Sequence, residues 1–197
     1  MRGCSLLTDD ALRALARSAC WRGNSVTGEC GTLQSLHLAR CSQLTDSGFA
    51  AMFEQPAAAA ATRPAEAAPG AAAWTATLEV GLRVLDVGHC RQLSNRTVSA
   101  AARCCGRTLQ HLDVRGLAAL SDAAVADVGQ YCAALLTISA QRCTKLSDAS
   151  IIALAEGCSV LGLINVMGCR NINSHWAFRY VREQTLNCNI RFVDAST

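Results

Sequence analysis

Cysteine is the residue type whose number first suggests chemistry in this chain. Twelve of the 197 residues are cysteines, and such a content could serve disulfide bonds or zinc ligation. No C-x-x-C and no H-x-x-x-H spacing occurs, so neither a metal nor another cofactor is predicted. Five cysteines instead occupy one fixed position of a repeat, which follows the pattern L-x-x-L-x-φ with φ apolar wherever the preceding strand is present. They are predicted to be structural turn cysteines: Cys4, Cys41, Cys90, Cys143 and Cys169.

A second set of cysteines recurs fifteen to nineteen residues after such a position. Fixed places in a repeat put equivalent thiols in rows along a stack, which is typical of packing residues, because a buried thiol behaves as a small hydrophobe with a weak donor. Twelve reduced thiols indicate a reducing compartment, and we predict a cytoplasmic protein, with cilium, nucleus and mitochondrion left open. The set comprises Cys20, Cys105, Cys132, Cys158 and Cys188.

Two aspartates could form an acid/base pair. Asp86 and Asp113 fall at equivalent places of neighbouring predicted strands, about 4.8 Å apart, and adjacent like charges can raise a pKa. No nucleophile, phosphate loop or metal set accompanies them, and we expect an open sheet to leave both carboxylates solvated. His37 and His111 are interpreted as surface residues for the same reason, and we predict that the protein is not an enzyme.

The charge pattern argues against two classes of partner. The net charge is +3 without a run of Lys or Arg, so no phosphate-binding surface and no membrane-surface helix is indicated. No stretch approaches 18 uninterrupted apolar residues. We therefore predict a soluble protein that binds neither nucleic acid nor membrane.

The spacing of one repeated segment predicts the fold. The turn position recurs at Cys90, Leu117, Cys143 and Cys169, at intervals of 27, 26 and 26 residues, and this period is typical of units with one strand and one helix. An alternating apolar pattern such as Leu161-Ile164-Val166 predicts a short strand, and the following L-S/T-D predicts a helix start with Asp favoured in the first turn. Helices of about ten residues are too short to persist alone, so stacking must stabilise the array.

The full repeat C-x-x-L-[ST]-D-x-x-φ-x-x-φ-x-x-x-C-x-x-L-x-x-L-x-φ resembles the cysteine-containing leucine-rich repeats of F-box/LRR proteins. The resemblance implies an α/β solenoid, or horseshoe, with short parallel strands on the concave face and helices on the convex face. It also implies recognition of substrates for an SCF-type ubiquitin ligase, whose separate F-box holds the SKP1 adaptor. The chain departs from that pattern at Leu117, which replaces a turn cysteine, and contains no F-box, so SKP1 and a cullin are expected as partners only if an F-box precedes it.

We predict a single domain over residues 1–197, with about five 26-residue repeats and a half repeat at the N-terminus. The strand that should precede Cys4 is missing, so either an upstream segment exists or a protein partner covers the open edge near Ser35. Two insertions, at about 21–32 and 54–80, interrupt the period. One interpretation is that they are disordered low-complexity spacers, and the other is that Trp21 and Trp74 anchor these loops on a partner or on the array.

Strand alternation predicts which side chains point to the concave face. Three rows result, and they are small, mixed and weakly charged, as suits a peptide or protein surface. The predicted partner-binding residues are His37, Asp86, His111, Asp113, Arg115, Ser139, Gln141, Asn165 and Met167.

Two functions remain open on the sequence. The first is a substrate receptor that resembles the F-box/LRR family. The second is a structural subunit, or scaffold, of a large ciliary, axonemal or mitochondrial assembly. Both are non-enzymatic and depend on protein binding.

Overall fold

The computed structural model describes residues 6–18, 33–53, 81–173, 175–176, 179–181 and 191–193. Both insertions, with Trp21 and Trp74, lie outside this part of the chain, as does Cys4. Helices and strands alternate in the order α1 (Asp9–Arg17), β1 (Ser35–His37), α2 (Asp46–Phe53), β2 (Val84–Asp86), α3 (Asn95–Cys105), β3 (His111–Asp113), α4 (Asp122–Tyr131), β4 (Thr137–Ser139), α5 (Asp148–Gly157), β5 (Leu163–Asn165) and β6 (Arg191–Val193).

The six strands form one parallel sheet in the order β1 to β6, so each strand pairs with the next in the chain. The central residues pair in the series Leu36, Leu85, Leu112, Ile138, Ile164 and Phe192. Each helix packs against the helix of the next unit, from α1 with α2 to α4 with α5. The predicted α/β solenoid with short parallel strands is therefore confirmed.

The core lies between the sheet and the helices and is built from the same positions in the units of β2 to β5. In these units the leucine before the strand, the central strand residue and the apolar residue two positions later are all buried, and full burial of a Val, Leu or Ile side chain contributes roughly 1.5–3 kcal/mol. These positions are Leu82, Leu85 and Val87; Leu109, Leu112 and Val114; Leu135, Ile138 and Ala140; and Leu161, Ile164 and Val166.

Three of the four described turn cysteines join neighbouring units by hydrogen bonds. The Cys90 thiol donates to the Leu38 carbonyl at 3.0 Å and the Cys169 thiol to the Ala140 carbonyl at 3.1 Å. Cys143 bonds in the same way to Val114, at 3.2 Å. All three are buried, and burial raises the pKa of Cys143 to about 12. These thiols therefore stay protonated and act as donors.

A second inter-unit contact runs along the helix starts, and we call it the cap ladder. The repeat predicts Ser or Thr as helix caps and Asp in the first turn. The Ser94 and Ser147 side chains accept a hydrogen bond from a backbone N–H of their own helix, whereas the Ser121 side chain does not. The first-turn residue also reaches into the next unit, where its oxygen accepts the backbone N–H of Thr45, Ser94, Ser121, Ser147 or Asn173 at 2.7–3.0 Å. The ladder consists of Asp9, Asp46, Asn95, Asp122 and Asp148.

Candidate protein-binding surface

The concave face is the side of the sheet turned away from the helices, and its side chains stand in register. In the described sheet one row runs through Ser35, Val84, His111, Thr137 and Leu163, and the next through His37, Asp86, Asp113, Ser139 and Asn165. Backbone bonds such as Arg40 N to Gly88 O and Gly116 N to Gln141 O continue the ladder beyond the strands. They align a third row of Ala39, Gly88, Arg115, Gln141 and Met167.

The N-terminal half of this face carries a cluster of Asp86, Asp113, Arg115 and His37. Arg115 Nη2 lies 2.6 Å from Asp113 Oδ2, and the Arg115 backbone N–H donates to Asp113 Oδ1 at 3.1 Å. Burial raises the pKa of Asp113, although the Arg115 guanidinium opposes that shift. Gly88 gives the arginine room, because a Cβ there would lie 2.9 Å from Arg115 Cγ. The cluster thus depends on a glycine in the neighbouring unit.

Asp86 is buried, with 4% of its surface exposed. The expectation that both aspartates are solvated is therefore wrong for Asp86, because the side chains of His37 and Arg115 lie beside it. Within the described residues its carboxylate accepts one hydrogen bond, from Gly88 N at 3.1 Å. His37 Nδ1 at 3.7 Å and Arg115 Nη2 at 4.0 Å from Oδ2 are near enough for an ionic interaction but too far for hydrogen bonds.

Two further polar atoms of this cluster lack hydrogen-bond partners within the described structure. His37 Nδ1 and Arg115 Nε are both inaccessible to solvent and bond to nothing. Leaving a buried donor or acceptor unsatisfied costs about 1–3 kcal/mol. With the charges of Asp86 and Asp113 against that of Arg115, the cluster also carries one excess negative charge when His37 is neutral. It is thus under-satisfied within the described residues.

The part of the face formed by β4 and β5 carries no charged side chain. His111 Nδ1 lies 2.8 Å from the Thr137 hydroxyl, so these first-row side chains bond across adjacent strands. Ser139, Gln141 and Asn165 are half-buried, and Met167 is 41% exposed. This part offers hydrogen-bonding groups beside one flexible apolar side chain.

The described residues contain no set of three or more His, Cys, Asp or Glu side chains placed to hold a metal. None of the helices in the described segments is long and apolar enough to cross a membrane. The eight cysteines of these segments are free thiols, and seven of them are buried.

The chain is similar to known proteins in its structure. The chain matches no protein-family model, and no curated protein is similar to it. It superimposes on a chain of the crystal structure of the Rad7 and Elc1 complex of yeast with a TM-score of 0.67, over 95% of its length and at 20% identity. It spans 39% of the length of that chain. The similarity shows the fold, an α/β leucine-rich-repeat solenoid.

Proposed function

We propose that this protein is a non-enzymatic binding module that grips another protein with its concave face. The observation that carries the proposal is the cluster of Asp86, Asp113, Arg115 and His37, in which the side chains of His37 and Arg115 remain 42% and 35% exposed beside the nearly buried carboxylate of Asp86. A protein that covers the cluster would pair with the exposed parts of these side chains and offset the excess negative charge. Desolvated polar groups near the centre of an interface commonly contribute much of its binding energy.

The rest of the concave face suits the same role. Its rows place half-exposed side chains on a sheet that regular backbone pairing and a close-packed core hold in place. A rigid surface loses little conformational entropy on binding. Met167, exposed beside polar neighbours, supplies an adaptable apolar contact.

At a finer level, we propose that the chain acts like the substrate-recognition solenoid of an F-box/LRR protein. The support is the cysteine-containing repeat itself, together with the structural likeness to a chain from a two-protein complex. In this proposal SKP1 and a cullin are partners only of a longer protein that carries an F-box upstream. The scaffold reading predicts a different set of partners, so one experiment separates the two.

Site-specific photo-crosslinking tests the proposed surface. A benzophenone amino acid is placed at Ser139 on the concave face, and a matched control carries it at Gln130, an exposed residue of α4. The natural full-length protein is expressed in its own cells, irradiated and purified, and the adducts are identified by mass spectrometry. We expect one dominant adduct from position 139 and none of that protein from position 130.

The crosslinked proteins test both the surface and the role of the protein. The same adduct from both positions, or from Gln130 alone, would place the partner on the helices and refute the concave-face proposal. SKP1 and a cullin in the purified material support the receptor role, whereas stoichiometric recovery of one large assembly without them supports the scaffold.

A further inference from the structure

Cations that are scattered along the sequence come together on one edge of the solenoid. They lie in the turns that follow the strands, at residues 39–43, 88–92, 115–119, 141–145 and 167–171, and these turns contain no acidic residue. Parallel strands in register bring equivalent turns to the same edge. We call the exposed cations of this edge the basic rim, which consists of Arg40, Arg91, Arg142, Lys145 and Arg170.

The side chains of the rim are unpaired within the described structure. None of the five makes an ion pair or a side-chain hydrogen bond there, whereas Arg13, Arg103 and Arg115 all pair with aspartates. The rim is therefore a row of solvated positive charges.

The aspartates that follow the turns of this edge in sequence belong to the cap ladder. Their oxygens already accept hydrogen bonds from the next unit: Asp46 binds the backbone N–H and hydroxyl of Ser94, and Asp122 binds those of Ser147. Within the described residues the ladder forms no ion pair with a rim cation. The positive rim and the ladder therefore run side by side as separate features.

We propose that the basic rim docks an acidic, extended polypeptide segment. Adjacent strands are about 4.8 Å apart, so five successive turns span about 19 Å. An extended peptide covers that distance with about six residues at roughly 3.3 Å each. Acidic side chains along such a peptide would pair with rim cations from several units at once, which a single surface ion pair could not match.

Charge and residue type favour a polypeptide over a nucleic acid. Single-stranded nucleic acids are usually held by aromatic side chains that stack on bases. No described Phe, Tyr or Trp lies in the rim turns: for example, Phe49 and Phe53 are buried in α2, and Tyr131 lies on α4. Asp86 and Asp113 on the adjoining concave face would also repel a phosphate backbone. The rim is distinct from the concave cluster, so this inference and the proposed function can fail independently.

Binding of a labelled peptide of about eight glutamates, long enough to span the rim, tests the proposal by fluorescence anisotropy. The rim variant carries Arg91→Gln, Arg142→Gln and Arg170→Gln. The matched control carries Arg17→Gln, Arg83→Gln and Arg107→Gln, three exposed arginines outside the rim, and loses the same net charge. Circular dichroism and thermal unfolding establish that both variants are folded.

We expect the rim variant to bind the peptide about tenfold more weakly than the wild type at low salt. The affinity of the control variant should fall by less than about twofold. Binding by the wild type should also weaken as salt screens the contacts. Equal losses in the two variants would show that only net charge matters and would overturn the proposal. So would no binding to the wild type, or tighter binding of an oligothymidylate of equal charge.

Discussion

The cap ladder predicts that Asp122 stabilises the solenoid more than its equivalent in the following unit. The Asp122 carboxylate accepts the Ser147 backbone N–H at 2.8 Å, the Ser147 hydroxyl at 2.7 Å and the Ser150 hydroxyl. Asp148, at the same place one repeat later, accepts one bond within the described residues, from Asn173 N at 2.7 Å. The two aspartates form a natural matched pair.

The size of the effect follows from those bonds. Each partly solvated bond to a carboxylate contributes about 1 kcal/mol net, so Asp122→Ala should lower the free energy of unfolding by about 3 kcal/mol. Asp148→Ala should cost about 1 kcal/mol. Asp122→Asn should lie between them, because Asn95 performs the same bridging role with its amide, accepting from Ser121 N and donating to Ser121 Oγ.

The pH dependence has a defined sign. Burial alone would raise the pKa of Asp122, but the bonds from Ser147 and Ser150 outweigh it and lower the pKa below 3.8. A lowered folded-state pKa means that this stabilisation is present above the unfolded value and is lost as the pH falls through the folded value. The gap between wild type and Asp122→Ala should therefore be constant near neutrality and shrink below about pH 4.

Urea unfolding followed by circular dichroism measures these free energies. The pH series is run on wild type and Asp122→Ala together. If Asp122→Ala proved no more destabilising than Asp148→Ala, or if the gap grew in acid, the assignment of the ladder as the inter-unit clamp would be refuted.

Three further predictions use matched positions elsewhere in the chain. Gly129→Ala should destabilise the fold by roughly 1–3 kcal/mol, because a Cβ there would collide with the Ala153 carbonyl of the next helix. Gly162→Ala should be neutral, because a Cβ at that position would lie 3.7 Å from the nearest atom. Thermal unfolding of the two variants compares these effects. Arg142 has a φ of 58°, so Arg142→Gly should stabilise by about 0.5–1 kcal/mol in urea unfolding, and a loss of stability would contradict this. The neighbouring Cys105 side chain lowers the pKa of Cys104, which is half-buried, while burial raises that of Cys143 to about 12, so iodoacetamide with peptide mass mapping should label Cys104 before Cys143; equal rates would count against that order.

The sequence predicted the repeat and the rows of the concave face because both depend on spacing. A period of 26 or 27 residues aligns Leu85, Leu112 and Ile138, and alternation then places Asp86 and Asp113 side by side. Trp21 and Trp74 stay predictions, since both lie outside the described residues.

Three features depend on contacts between units and were not predicted. Asp86 is buried because Arg115, from the next strand, lies over Gly88. Asp46 was expected to interact with its own helix, yet it also bonds to Ser94 of the next unit. The rim was missed because its cations are separated by many residues of sequence, and a search for runs of charge cannot detect them. The signal was present in the repeat alignment, where each turn can be compared for charge.

The most direct test of the account is the affinity of the crosslinked partner for concave-face variants. Asp113→Arg reverses a charge of the cluster, and Ser139→Arg adds bulk and charge at a half-buried position that makes no described ion pair. Gln130→Arg on α4 is the control, and unfolding free energies establish that all three are folded. We predict that both concave variants bind the partner at least about tenfold more weakly, as expected for the centre of an interface, while the control binds normally. Unchanged affinity in both concave variants would contradict the claim that this face holds the partner.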